Sequence, residues 1–100
     1  VFGPVFPIIG FDTAEEAIEI HNSTSYGLSG GIISSDISKA MKTASRLECG
    51  SVVLNGTGRY RHPDIAFGGY KMSGLGREGV SATLEELTQV KTIIMKGILG

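Results

Sequence analysis

The sequence has one cysteine, almost no net charge and no long apolar run, and each shortage excludes a class of protein. A single cysteine cannot form an internal disulfide framework and is typical of a reducing compartment, so we expect a cytoplasmic protein. Nine basic and ten acidic side chains give a net charge of −1, which favours neither a nucleic-acid partner nor an anionic membrane. No apolar run reaches the roughly 18 residues of a transmembrane helix. The remaining composition, 41% hydrophobic and 19% charged over 100 residues, is typical of one globular domain or a part of one.

The chain begins with Val1-Phe2-Gly3-Pro4 and has no initiator methionine at that end. No basic segment leads into an apolar one, so the start does not resemble a signal peptide. We therefore expect these residues to be a piece of a longer protein.

Three runs rich in β-forming residues predict strands in the first half of the chain: residues 5–11, 28–34 and 51–55. Pro7 lies in the first run and withholds one hydrogen-bond donor, which favours an edge position or a strand start. Gly30 and Gly31 lie in the second run, where they allow another backbone or a ligand to come close.

Two helices are predicted between these strands. The capping box Thr13-x-x-Glu16 predicts a helix that ends near residues 22–24. Asp36 predicts the N-cap of a second, strongly amphipathic helix that stops before Gly50. The order β-α-β-α-β with short connections, including a predicted turn at residues 26–27, favours a parallel sheet covered by helices.

The second half of the chain is less regular. Residues 56–76 form a long glycine-rich loop, and a loop of this length in a compact domain is typically functional or disordered. A helix is predicted at residues 78–88, with Val80, Leu84 and Leu87 facing inward. Residues 90–96 (VKTIIMK) predict a terminal strand that lacks an obvious partner in this chain, so another subunit is its expected partner.

The run from Gly74 to Gly79 matches G-x-G-x-x-G, the pattern of a dinucleotide phosphate loop. That function needs a preceding strand, a following helix in a βαβ unit, and an acid about twenty residues later. The preceding residues 70–73 do not have a strand pattern, and no acid follows Glu86. We therefore interpret these glycines as loop and helix-start residues.

The sequence predicts neither a nucleophile nor a metal site. Cys49 has no histidine near it in the sequence and stands between a helix end and a strand, so we interpret it as a partly buried packing residue. His21 and His62 are too few and too far apart to indicate metal binding.

A compact cationic and aromatic cluster lies in the long loop: Arg59, Tyr60, Arg61 and His62. Arginines can bind an anionic or polar substrate through paired hydrogen bonds. A solvated loop or a subunit contact explains the same residues equally well, and the sequence leaves both alternatives open.

Four stretches in this order and spacing resemble the C-terminal part of the aldehyde dehydrogenase superfamily, over essentially all of the chain. They are FGP at residues 2–4, YGLSGG at 26–31, FGGYKMSG followed by GRE at 67–78, and TQVKT at 88–92. The resemblance implies an α/β fold in which residues 1–88 belong to the catalytic domain and residues 89–100 are an oligomerisation strand and tail.

The resemblance also implies a chemistry. The family oxidises aldehydes to carboxylic acids through a cysteine thiohemiacetal, with NAD or NADP as the coenzyme. Phe2 matches a residue near the nicotinamide ring, and residues 55–67 match a loop at the aldehyde entrance, with Phe67 near the pocket. The substrate-binding candidates are therefore Arg59, Tyr60, Arg61 and Phe67.

The family's catalytic cysteine, glutamate and oxyanion-hole asparagine would all precede Val1. The fragment alone is therefore expected to be inactive and to bind no coenzyme, and residues 90–96 are expected to form a homo-oligomer contact. The arginine cluster suggests a polar or anionic aldehyde, such as a semialdehyde. Two alternatives stay open: a non-catalytic self-association module, and a non-oxidising relative on the same scaffold such as an acyl-phosphate reductase.

Overall fold

The structure, a computed structural model, describes residues 2–97 and contains three helices and four short strands in that range. In chain order they are α1 (Ala14–Asn22), β1 (Tyr26–Gly27), β2 (Ser29–Ile32), α2 (Ile37–Ala44), β3 (Ser51–Leu54), β4 (Tyr70–Lys71) and α3 (Val80–Glu86). None of the helices in this range is long and apolar enough to cross a membrane.

The first two helices begin where their caps predict. Thr13 Oγ1 accepts a hydrogen bond from the Glu16 amide at 3.2 Å, and the Glu16 carboxylate accepts one from the Asp12 amide at 2.9 Å. Asp36 Oδ1 accepts one from the Lys39 amide at 2.9 Å. Side-chain acceptors thus satisfy amides that the first turn of each helix leaves without a partner.

Strands β2 and β3 pair in parallel, from Ser29 opposite Ser51 to Ile32 opposite Leu54, and α2 connects them. The last three elements of the predicted β-α-β-α-β order are therefore present, whereas the complete unit is not. The predicted close approach of another backbone occurs at Gly31, where a Cβ would lie 2.7 Å from the Gly56 carbonyl oxygen. At Gly30 the close neighbours are side chains instead, since a Cβ there would lie 3.1 Å from His21 Nε2 and 3.5 Å from Cys49 Sγ.

Strands β1 and β4 pair antiparallel, with Tyr26 opposite Lys71 and Gly27 opposite Tyr70. The predictions of a turn at the first segment and of no strand at the second are therefore wrong. The pairing depends on contacts far along the chain: the Gly27 amide donates to Ser73 Oγ at 2.9 Å. Local β-propensity depends on neighbouring residues alone and cannot predict such a contact.

The predicted strand at residues 5–11 is not formed. The described strands pair only as β1 with β4 and β2 with β3, so this apolar run pairs with no strand in the described chain. Its side chains are exposed, Phe6 and Ile8 by 85% and 94%. The β-forming composition is present, but a strand also requires an edge to pair with.

The C-terminal part differs from the prediction for the same reason. The described residues 90–96 contain no strand, and Val90 is 99% exposed. Helix α3 begins at Val80 rather than at residue 78, and the expected inward face is wrong for this chain because Val80, Leu84 and Leu87 are all exposed. These side chains have no surface in the described structure to pack against.

Few side chains are buried, and the chain is extended. The buried apolar residues in the described range are Ile18, Ala40 and Cys49. The radius of gyration is 19.6 Å, against roughly 13 Å for a compact domain of this length. The ordered centre consists of α1, α2 and the two small sheets, and the long loop leaves this centre at the end of β3.

Candidate functional site

The long loop is fastened to the sheet where β3 ends. The Asn55 amide donates to the Ile32 carbonyl at 2.6 Å, and Asn55 Oδ1 accepts from the Ser34 amide at 2.9 Å. Asn55 has a φ of 57°, a left-handed conformation that asparagine tolerates better than most residues. A Cβ at Gly31 would lie only 2.7 Å from the Gly56 carbonyl oxygen, so the first loop residues press on β2. The loop therefore starts from a fixed position.

A cleft of about 290 Å³ lies between β3 and the folded-back loop. Tyr60, Arg61 and Phe67 all line it, so the structure brings together three of the four predicted substrate-binding residues. The Arg61 guanidinium carbon lies 3.5 Å from the centre of the Phe67 ring, in a cation–π contact.

Arg59 lies apart from this cleft. It lines an open depression with residues 53–57 and Tyr60, and its amide donates to Thr57 Oγ1 at 3.4 Å. In the described part of the chain no carboxylate lies within ion-pair distance of the Arg59 guanidinium. The predicted arginine cluster is thus divided between two neighbouring surfaces that share Tyr60.

Glu78 is a residue of this site that the sequence did not predict. Its Oε1 lies 2.5 Å from Arg61 Nη2 in an ion pair. Its backbone exchanges two hydrogen bonds of 2.7 Å with Phe67, in an isolated antiparallel bridge. The sequence places Glu78 only at the start of a predicted helix and in the GRE stretch.

The glycine-rich turn after Phe67 is held from inside by Arg77. Its Nη1 donates to the carbonyls of Gly69 at 3.2 Å and Gly76 at 2.7 Å, and its guanidinium carbon lies 5.7 Å from the centre of the Tyr70 ring. Gly69 is buried, and Gly76 has a φ of 75°, which strongly favours glycine. The turn directly follows Phe67, which lines the cleft, and so supports that wall of the cleft.

Lys71 joins this turn to the end of α1 and to the segment that follows α2. Its Nζ donates to the carbonyls of Asn22 at 2.9 Å and Thr24 at 3.2 Å, and it forms an ion pair with Glu48 at 2.5 Å. The Asn22 amide side chain also joins two segments, donating to the Arg46 carbonyl at 2.9 Å and accepting from the Glu48 amide at 2.8 Å. The sequence places residues 22–24 at a helix end and Lys71 in the FGGYKMSG stretch, but it predicts none of these contacts.

Cys49 is buried, as predicted for a packing residue, with 6% of its surface exposed. Burial raises the pKa of its thiol, and a backbone hydrogen bond with Ser51 opposes this effect in part. The thiol Sγ also lies 3.3 Å from the Ser51 carbonyl, to which it donates. A raised pKa disfavours the thiolate, which is the nucleophilic form. His62 lies beside Asp64, with 3.9 Å between Nδ1 and Oδ2, and the described residues contain no group of three potential metal ligands.

The coenzyme-related features of the sequence are Phe2 and the glycines that follow position 73. The Phe2 ring is fully exposed in the described structure. The glycines at 74, 76 and 79 have positive φ angles and lie between a two-residue antiparallel strand and a seven-residue helix. A phosphate loop needs a parallel βαβ setting instead, so the interpretation as loop and helix-start residues agrees with the structure.

Comparison with known proteins identifies the family. A model of the aldehyde dehydrogenase family matches residues 1–93, and the chain therefore belongs to that family, as its resemblance predicted. The lactaldehyde dehydrogenase of Methanococcus maripaludis is 46% identical over 97 residues, which are 97% of this chain and 21% of that protein. The chain thus spans about a fifth of the length of the curated relatives it matches.

Two solved structures show the same local fold. Glyceraldehyde-3-phosphate dehydrogenase GapN of Methanocaldococcus jannaschii, complexed with NADP, is 51% identical with a TM-score of 0.76, covering 81% of this chain and 18% of that one. Betaine aldehyde dehydrogenase of Staphylococcus aureus, in complex with NAD+, is 44% identical with a TM-score of 0.81, covering 85% and 17%. The described elements are therefore an α/β part of the aldehyde dehydrogenase fold.

Proposed function

We propose that this chain is the C-terminal portion of an NAD(P)-dependent aldehyde dehydrogenase that oxidises an aldehyde to a carboxylic acid in the cytoplasm. The observation that carries this proposal is the match of the family model to residues 1–93. Relatives complexed with NADP and with NAD+ support the coenzyme class. In this proposal residues 1–88 complete the catalytic domain, and residues 89–100 form the oligomerisation segment.

The nucleophile belongs to another part of the protein. Cys49 is the only thiol here, and its burial and raised pKa suit packing rather than attack on a carbonyl carbon. The catalytic glutamate and oxyanion-hole asparagine of the proposed thiohemiacetal chemistry are likewise assigned upstream of Val1. We therefore propose that the isolated chain has no activity and holds no coenzyme.

The chain's contribution is a wall of the aldehyde entrance. Tyr60, Arg61 and Phe67 meet in one cleft, and Arg59 lines the adjoining depression. Phe2 is assigned to the nicotinamide side of the site once the rest of the protein surrounds it. Because the entrance loop carries guanidinium groups, we propose a polar or anionic aldehyde, such as a semialdehyde, as the substrate.

The test is the formation of NADH or NADPH by the full-length protein with a panel of neutral, cationic and anionic aldehydes. The proposed function predicts turnover with at least one aldehyde, and a higher kcat/KM for anionic than for neutral members of matched pairs. The 100-residue chain alone, assayed as the control, should give no turnover. A pure, folded full-length protein that reduces neither coenzyme with any aldehyde would overturn the proposal.

A further inference from the structure

We propose that Arg59 is the residue that selects anionic aldehydes at this entrance, whereas Arg61 is a positioning residue whose charge Glu78 neutralises. This inference rests on the proposed function, because it assigns the substrate preference of the same site to one of its two arginines. It starts from the different surroundings of the two guanidinium groups.

Arg61 is held on two sides. Its Nη2 lies 2.5 Å from Glu78 Oε1, and its guanidinium carbon lies 3.5 Å from the centre of the Phe67 ring. The two contacting residues are themselves joined by a pair of 2.7 Å backbone hydrogen bonds, so they present one continuous surface to the arginine. Arg61 thus lies across the bridge that closes the loop.

These contacts make Arg61 a poor ligand for an incoming carboxylate. An anionic substrate would have to displace the Glu78 carboxylate, which already neutralises the charge, and to lift the guanidinium from the aromatic ring. A half-exposed ion pair and an exposed cation–π contact are each weak. Together they favour the held position of the Arg61 side chain over a released one by a factor of roughly ten. The pair therefore contributes shape to the entrance and little net charge.

Arg59 has the opposite surroundings. No carboxylate in the described range lies within ion-pair distance of it, and it faces an open depression of about 720 Å³ rather than a packed surface. Tyr60 lines both this depression and the cleft that contains Phe67, so the two spaces adjoin. A guanidinium that pairs with no carboxylate among residues 2–97 can form charge-assisted hydrogen bonds to a carboxylate or phosphate at the far end of an aldehyde.

The experiment compares Arg59→Gln, Arg61→Gln and Glu78→Gln in the full-length protein. Arg46→Gln is the matched control, because it makes the same charge change at an arginine that pairs with Glu15, away from the loop. Two quantities are measured: the ratio of kcat/KM for an anionic aldehyde to that for a neutral aldehyde of equal length, and the Kd of glutarate by calorimetry with its diamide as the neutral probe. The second quantity needs no turnover.

Arg59→Gln should lower the kcat/KM ratio about tenfold and weaken glutarate binding by a similar factor, as expected for the loss of a hydrogen bond to a charged group. Arg61→Gln should lower kcat/KM for both aldehydes and lower the ratio only about twofold, because it leaves the half-exposed Glu78 carboxylate unpaired. The double variant Arg61→Gln with Glu78→Gln keeps the net charge and should leave the ratio and the glutarate Kd unchanged. Glu78→Gln should raise the ratio severalfold, because it removes the competing carboxylate and keeps the backbone bridge. The double variant Arg61→Glu with Glu78→Arg keeps the ion pair with its charges exchanged. It should recover the kcat/KM that Arg61→Gln loses, which is the result expected of a positioning residue.

The division of roles is wrong if Arg59→Gln changes neither quantity relative to Arg46→Gln, or if Arg61→Gln changes the ratio as much as Arg59→Gln does. Failure of the proposed function gives a different result. In that case no aldehyde is oxidised, while glutarate binding still depends on Arg59.

Discussion

A single methyl group at Gly50 should displace the loop that carries the site. This residue follows α2 and begins the turn into β3, and a Cβ built on it would collide with the backbone carbonyl of Gly68. The approach is far inside the 3.0 Å below which Cβ atoms are essentially never found. The added Cβ and the Gly68 carbonyl cannot rotate apart, because the backbone fixes the positions of both.

The expected cost follows from these contacts. Overpacking against a rigid neighbour costs roughly 1–3 kcal/mol, and this site should lie at the upper end. The Gly50 amide also donates to the carbonyls of Gly27 and Leu28 at 3.1 and 3.2 Å, and disturbing these bonds adds roughly 1–2 kcal/mol. Gly50→Ala should therefore lower the free energy of unfolding by about 3–5 kcal/mol.

The matched control is Gly56→Ala. A Cβ there meets only Val53 Cγ1, at 2.8 Å, and a side-chain methyl can move more easily than a carbonyl group. Thermal unfolding of the full-length protein should show a fall of roughly 5 °C for Gly50→Ala and at most about 2 °C for Gly56→Ala. Because Gly68 follows Phe67, kcat/KM should fall as well in the first variant. Equal unfolding temperatures for the two variants would refute the argument.

Three further outcomes are expected in the full-length protein. Cys49 should react with iodoacetamide at neutral pH at least tenfold more slowly than a free thiol, by peptide mass spectrometry, and rapid labelling of the native protein would contradict its burial. Because its folded pKa is raised, the thiol's contribution to stability is complete below the unfolded pKa and is lost as the pH rises through the folded value. Wild type should therefore lose more stability in alkali than Cys49→Ala. Lys71 has a φ of 54°, a strained conformation that glycine relieves. Lys71→Gly should therefore be about 1 kcal/mol more stable than Lys71→Ala, although both variants lose the same hydrogen bonds. The reverse order of stability would contradict this prediction. Deletion of residues 90–97 should reduce the oligomer seen by sedimentation, and an unchanged size would exclude this segment as the subunit contact.

The sequence predicted the features that depend on residues close together in the chain. The caps formed by Thr13 and Asp36 join atoms three residues apart, so their pattern is visible in any window of the chain. The parallel pairing of β2 and β3 followed from a strand, a helix and a strand in close succession. Burial of Cys49 followed from its place between a helix end and a strand.

Contacts between distant residues were beyond this reasoning. The Arg61–Glu78 pair joins residues 17 apart in a loop without periodicity, and the hydrogen bonds of Lys71 reach residues 47 and 49 positions away. The sequence grouped Arg59 with Arg61 because they are near neighbours in the chain. The roles proposed for them differ because Arg61 meets the carboxylate of Glu78, and only the folded loop determines that contact.

The exposed surface explains why the two outer strands were mispredicted. A compact protein of 10.5 kDa exposes roughly 5,400 Å², whereas this chain exposes 8467 Å². The excess of about 3,000 Å² is as large as an obligate protein–protein interface. Apolar side chains from residues 5–11 and 90–96 contribute to it. Their composition favours strands, but no strand of the described chain pairs with them. The curated relatives that match are about five times as long as this chain.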